Sequence, residues 1–172
     1  LLWGQDLNGT GPGAGNRPYT DFDQANCTGG HCDRRAAYLA AATDLLVTDL
    51  EEMVANWGAD GEARKGLLEG DANEGISTIL TGMGSLSYGE LAGERMKLGL
   101  VLHDPEEEHD CFSDNTHNSH LNDAIGIAAG YTGEYTRVDG TKMTGPSLHD
   151  LVAAKDKALD AEMTGKLNTT LD

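Results

Sequence analysis

A chain of 172 residues is long enough for one domain with a real core. Its 29 acidic residues against 12 basic ones give a net charge of −17, which argues against nucleic acid and anionic membranes as partners and suits cations or plain solubility. Hydrophobic residues are 38% and aromatics only 5%, so a core must be built from Leu, Ala, Val, Ile and Met, and no apolar run approaches the ~20 residues that span a bilayer.

Leu1-Leu2-Trp3 reads as the tail of a helix already under way, stopped at Gly4. With no initiator Met and no signal peptide, the expectation is a fragment or a processed product. Residues 5–30 are rich in Gly, Pro, Asn, Asp and Thr, including Gly-Thr-Gly-Pro-Gly-Ala-Gly at 9–15. So long an irregular connection is either functional or tied down. Arg17, Pro18, Tyr19, Asp21 and Phe22 are the expected anchors. The Gly-rich part lacks the strand before and helix after that a phosphate loop requires.

Cys27 and Cys32 flank Thr-Gly-Gly-His, a flexible loop that suits a small disulfide in an oxidising compartment. The rival reading is a metal clip with His31, which lacks the second half of a zinc motif. Cys111 is left over, either buried or paired with one of the others. The residues alone leave the connectivity open.

From 33 to 57, Leu39, Ala42, Leu46, Leu50, Met53 and Trp57 recur at intervals of three and four, with Gly58 as the stop. That predicts a helix of about 37 Å. Residues 58–70 are a polar turn region with a marginal helical patch at 63–68. A second long helix is expected over 71–102, bent by Gly82 and Gly84. Next, His103-Asp104-Pro105 breaks the chain and restarts it, with Asp104 as cap and Glu106–Glu108 at the positive end of the new dipole. Ser113-Asp114-Asn115 offers another cap, for a helix over 113–129. Residues 130–146 read as a turn-rich linker carrying Tyr131 and Tyr135. Pro146-Ser147 opens a last helix from Leu148 to Leu159 or beyond. No terminating signal follows before Asp172, so more chain is expected after it. Nothing alternates with period two, so the expected fold is all-α, a helical bundle without a sheet, forming one domain portion over 1–172.

The chemistry concentrates between Gly82 and His120. Glu90 and Glu94 are four apart and share one face of a helix, where like charges repel. Gly89 and Gly93 share that spacing and allow close approach of another backbone, at roughly 1 kcal/mol each in helix propensity. A close helix crossing with a solvated acidic rim explains this as well as a functional face does. A nucleophilic triad of Ser113, His117 and Asp114 lacks a nucleophile elbow, and capping explains Ser113 better. No H-E-x-x-H string exists for a thermolysin-type zinc site. Carboxylate–imidazole sites in helical bundles suit iron, manganese or zinc. Glu94, Glu108, His109 and His117 are the candidates here, but no Glu-x-x-His pair recurs on two helices. Arg95 is placed to neutralise a carboxylate. His103, His120 and His149 read as surface residues.

Four strings in fixed order resemble the imelysin family: Trp3-Gly-Gln-Asp6; Cys32-Asp-Arg-Arg-Ala-Ala-Tyr-Leu39 with Ala-Thr-Asp-Leu-Leu-Val at 42–47; Leu80-Thr-Gly-Met-Gly-Ser-Leu86 with Gly89-Glu-Leu-Ala-Gly-Glu-Arg95; and His109-Asp-Cys-Phe-Ser-Asp-Asn-Thr-His117. The family includes proteins described as insulin-cleaving metallopeptidases and as iron-regulated periplasmic proteins. The resemblance implies a helical fold of two bundle-like halves, exported to the periplasm or held on the cell surface. It also implies a G-x-H-x-x-E metal motif, whose place would fall just before Leu1. One His and one Glu are too few ligands for a hydrolytic zinc site unless other segments contribute.

On this resemblance, the expected function is binding of a divalent metal ion, iron or zinc, in iron uptake or homeostasis. The alternatives are a metal-dependent peptidase or a non-catalytic helical partner-binding domain. The expected metal-facing residues are Glu90, Glu94, Glu108, His109, Asp114 and His117, supported by Arg95, Ser113 and Asn115. Glu94 and Glu108 are the two best placed to touch an ion. Export implies that Cys27 and Cys32 are oxidised together. The expected partners are the polypeptide carrying G-x-H-x-x-E and an outer or cytoplasmic membrane protein.

Overall fold

The computed structural model describes residues 1–5 and 9–172, so Asp6 of the first family string lies outside the described residues. The fold is mostly helical and of the helical-bundle class, and it divides into two compact units. One comprises 1–78 and 110–114; the other comprises 79–109 and 115–172.

The first unit begins with an irregular segment that is tied down, as expected, though not by all the expected anchors. Arg17 Nη1 donates to Asp21 Oδ2 at 2.7 Å, and Thr28 Oγ1 donates to Asp21 Oδ1 at 2.8 Å. These two donors and the nearby Arg35 charge hold the Asp21 carboxyl below its ordinary pKa, with the Thr28 bond the largest cause. Tyr19, one of the expected anchors, is 81% exposed. Leu1–Trp3 is not helical. The Trp3 and Gly4 carbonyls instead accept from the Arg17 and Gly13 amides, and Gly4 sits at φ +110° against the Gly13 carbonyl.

Helix α1 (Cys32–Trp57) follows, with Gly58 as its C-cap, so its predicted span holds within one residue. Arg35 is buried at its first turn and donates to the backbone carbonyls of Asp21 and Gly30 at 2.6 and 3.1 Å. Cys27 and Cys32 form a disulfide with Cα atoms 5.8 Å apart. Cys111 is half-buried and outside that bridge. Further along α1, the stripe expected to face a core stays open: Leu46, Leu50, Met53 and Trp57 are 50–57% exposed. A short α2 (Glu62–Leu68) occupies the marginal patch.

The second long helical run is present over the expected range but is not α-helical throughout. Helix α3 (Ala72–Gly84) passes into a π-helical segment at Ser85–Lys97 and then α4 (Leu98–Leu102). The glycines at 82 and 84 therefore precede a change of helix type, with Gly84 itself still in right-handed helical geometry. His103, in the left-handed region at φ +53°, ends the run. Asp104 accepts from the Glu106 amide at 2.9 Å, but the restart is only a 3₁₀ turn at Pro105–Glu107.

Helix α5 (Thr116–Thr132) begins three residues later than expected. The cap expectation fails there. Asn115 at the N-cap makes no capping bond, and Ser113 Oγ donates back to the Asp110 carbonyl. The predicted linker holds a β-hairpin, β1 (Glu134–Thr136) paired antiparallel with β2 (Lys142–Thr144). Its turn is built on Asp139, which accepts from the Thr141 amide, and on Gly140 at φ +83°. The last predicted helix is two, α6 (Leu148–Lys155) and α7 (Lys157–Leu171), because Asp156 leaves the helical region and caps the second with bonds to the Ala158 and Leu159 amides. Ser147 caps the first as expected, accepting from the Asp150 amide at 2.9 Å. Helices α5, α6 and α7 pack together around Ala124, Ile127, Tyr131 and Leu148, all buried.

Candidate functional site

The π-helical segment changes which residues meet. With i→i+5 hydrogen bonding, residues five apart come onto one side, whereas α-geometry aligns residues four apart. Arg95 Nε accordingly donates to Glu90 Oε1 at 2.8 Å, five positions away. Glu90 is thereby engaged by a cation, and the hydrogen bond it accepts, followed by its charge, pushes the Arg95 pKa further up, with a smaller contribution from Glu94. Glu94 is exposed. Gly89 opens on empty space, so no neighbouring backbone approaches there among the described residues. At Gly93 an added Cβ would lie 3.0 Å from the Tyr88 carbonyl of the same segment.

Beyond the helical run, Glu108 and His109 lie in the second unit with α5. Glu108 Oε2 accepts from Thr116 Oγ1 at 3.1 Å. His109 Nδ1 stands 3.6 Å from Asp123 Oδ2, too long for a hydrogen bond, and the His109 and His120 ring centroids are 5.9 Å apart. His109 Nδ1, Asp123 Oδ2 and His120 Nε2 are all shielded from solvent and lack hydrogen-bond partners. Leaving buried polar atoms unsatisfied costs about 1–3 kcal/mol each, so three side by side call for an explanation.

His120 is thus half-buried, not a surface residue. It also lines an open cavity of about 530 Å³ together with Arg95, His103, Asp104 and Glu108. The walls mix both signs of charge and present imidazole and carboxylate donors, the set that iron and zinc accept. Among the described residues, however, no group of three His, Cys, Asp or Glu side chains is arranged to hold a metal ion. The donors fit such an ion in kind but do not by themselves enclose it.

Two other sequence candidates are exposed. His117 is exposed on α5. Asp114 belongs to the first unit, exposed and in the left-handed region at φ +56°. Sequence reasoning selected His109 but missed Asp123 and passed over His120. Their spacing of three places both on one face of α5, a signal that was available.

A second polar network was not anticipated. Tyr131 Oη donates to Asp160 Oδ1 at 2.8 Å, and His149 Nδ1 lies 2.6 Å from the same oxygen. The Tyr131 and His149 rings stand edge to face, 6.2 Å apart. Burial and the Asp160 carboxylate push the Tyr131 pKa up to about 12. His149, read as a surface residue, joins α6 to α7 through this carboxylate. The arrangement is a lock among three helices, with every partner accounted for.

No described helix is long and apolar enough to cross a membrane. No curated protein matches the chain. The imelysin family profile, Peptidase_M75, matches residues 1–172, its whole length. The chain belongs to the imelysin family, a metallopeptidase-related group.

Proposed function

We propose that this chain is part of an exported imelysin that holds a divalent metal ion, iron or zinc, for iron uptake or homeostasis. The observation that carries the reading is the cluster of shielded atoms without hydrogen-bond partners on His109, His120 and Asp123, of which His109 Nδ1 and Asp123 Oδ2 face each other at 3.6 Å. A bound cation gives each of them a partner. Glu108, next to His109 in sequence and already oriented by Thr116, is the next donor. Glu90 is the weakest of the original candidates, because Arg95 holds it. The remaining ligands come from the polypeptide carrying G-x-H-x-x-E. The Cys27–Cys32 disulfide supports an exported, oxidising location. When bound, the ion would supply either transportable cargo or a Lewis acid. The chain's own part is to present imidazole and carboxylate in a partly dry setting.

Membership in a peptidase family favours one second reading, metal-dependent peptide hydrolysis at the same place. Calorimetric titration with iron(II) and with zinc separates these cases, using a polypeptide that carries both the G-x-H-x-x-E segment and these residues. We expect His109→Ala, His120→Ala and Glu108→Gln to weaken binding about tenfold or more while helical content persists. Isotherms identical to the parent overturn the reading. Chelator-sensitive cleavage of an unstructured peptide moves the conclusion to the peptidase. Membrane-protein association is tested in the same preparation by co-purification from detergent extracts of the envelope.

A further inference from the structure

We infer that the Cys27–Cys32 disulfide is a redox switch, attacked at Cys27 by an external dithiol and opened with Cys32 as the leaving thiolate. The two sulfurs differ in access. Cys27 is exposed in the irregular segment, whereas Cys32 is 2% exposed. Exposed disulfides are the labile and regulatory ones, and attack at the open sulfur makes the shielded one leave.

The surroundings of Cys32 suit it to depart with the electron pair. It is the first residue of α1, a helix of 26 residues. His31 at the N-cap makes no side-chain capping bond, so its ring leaves the first-turn amides untaken. Arg35 Nη1 reaches Cys32 Sγ at 3.9 Å, and Arg35 is buried, with Nε lacking a hydrogen-bond partner. A helix N-terminus and an adjacent guanidinium both stabilise a thiolate. Opposing them are the Thr20 and Gly30 carbonyls, 3.7 and 3.8 Å from the sulfur, of which Gly30's already accepts from Arg35. A full charge at that range outweighs two carbonyl dipoles. Of the nearby acids, Asp21 is engaged by Arg17 and Thr28, and Asp33 is exposed and screened by water.

The step balances with the dithiol as reductant. Its thiolate bonds to Cys27 Sγ, the Cys27–Cys32 bond breaks, and the electron pair leaves on Cys32 Sγ. The second thiol of the reductant then displaces Cys27 and closes into a disulfide. The bridge gains two electrons; one proton stays on Cys27 and the other goes to water while Cys32 remains a thiolate. The opened segment is still tied to α1 through Arg35, but without its covalent closure. Reduction therefore loosens residues 17–31 and leaves the buried core of α5–α7 in place.

Dithiothreitol is the probe, added to the oxidised full 172-residue chain. Acid quenching, differential alkylation and peptide mapping follow the two sulfurs and keep Cys111 separate. The native bridge is expected to be reduced about 3–10-fold faster than the same bridge in urea-unfolded chain at equal pH. A bridge protected by its fold is reduced more slowly when native, and a native rate equal to or below the unfolded one overturns the inference. With glutathione, a monothiol, the mixed disulfide captured by rapid quenching is expected on Cys27. Its appearance on Cys32, or equally on both, overturns the order of attack. Arg35→Met, with circular dichroism confirming α1, is expected to slow native reduction at least about threefold. In the reduced chain the same substitution should move the thiolate titration, read by ultraviolet absorbance, up toward the ordinary thiol value of about 8.5. A titration that does not move overturns the role given to Arg35. The comparison of native with unfolded chain stands whether or not that variant folds.

Discussion

The two units are held together by different physics. In the first, the one buried hydrophobic residue among those described is Cys32, half of a disulfide, beside the buried charged side chains Asp21 and Arg35. In the second, Leu91, Ala124, Ile127, Tyr131 and Leu148 are buried, and Asp160 is satisfied by Tyr131 and His149. Covalent closure and charge-assisted hydrogen bonds order a Gly-rich segment that has little apolar area to bury. Helices with facing apolar stripes order themselves by burial instead. An amphipathic pattern therefore states what a helix is able to bury, not what it buries: α1 has the clearer pattern, and α5 has the core.

The largest effect that sharpens this contrast is expected from Ile127→Ala. Ile127 is 7% exposed, and deleting its branched side chain from a packed site costs about 2–5 kcal/mol. Hydrogen exchange should show the loss across α5–α7 while the amides of the disulfide segment keep their protection. Equal deprotection of both regions would mean that they unfold as one, and the contrast would fail.

Opening the disulfide is the complementary break. For so short a loop the chain-entropy account gives about 2 kcal/mol, and Cys27→Ser is expected to cost about that. Its effect should concentrate on residues 17–35. Acid acts on the same knot. Asp21 has a depressed folded pKa, so its contribution is complete above the ordinary carboxylate value near 3.9 and is lost as pH falls toward the lower folded one. Protection there should decline below about pH 4. Asp21→Asn should flatten that decline.

In the second unit the pH sign reverses. Tyr131 keeps its proton in the folded state to about 12, against an ordinary value of 10.0. Its contribution is complete below pH 10 and is lost as pH rises from there toward 12, because the unfolded chain releases the proton first. Tyr131→Phe is expected to cost about 1 kcal/mol at neutral pH through the missing bond to Asp160 and to remove this alkaline limb. Denaturation at pH 7 and pH 11 on both proteins reads the two effects.

The contrast also explains what the sequence made legible. Periodicity placed α1 and the 71–102 run, because helical spacing survives whether or not the face is covered. It could not distinguish the π-helical turn, since i→i+4 and i→i+5 bonding suit the same residues, and Glu90 consequently met Arg95 and not Glu94's face. The hairpin was missed because its strands are three residues long, although Asp139-Gly140 was a readable turn signal. Of the site, His109 was legible as a ligand type. Its neighbours were harder, since Asp123 and His120 reach it only once α5 has packed, and Tyr131 finds Asp160 across 29 residues of sequence.

The smallest expected effect is the most direct probe of the difference between the units. Leu46 and Leu50 carry the helical spacing of core residues but are 57% and 55% exposed. If α1 is open in the isolated chain, Leu46→Gln and Leu50→Gln lose little burial, and each changes stability by no more than about 0.5 kcal/mol. A core leucine would cost several times that. If helices of a polypeptide carrying the G-x-H-x-x-E segment cover this stripe, the same substitutions in that polypeptide should cost about 2 kcal/mol or more. Chemical denaturation of the four variants and their two parents gives the numbers. Sedimentation checks that no self-association hides the face. A large cost already in the isolated 172-residue chain, with the protein monomeric, would mean that α1 is packed in solution, and the first unit would then be held by burial just as the second is.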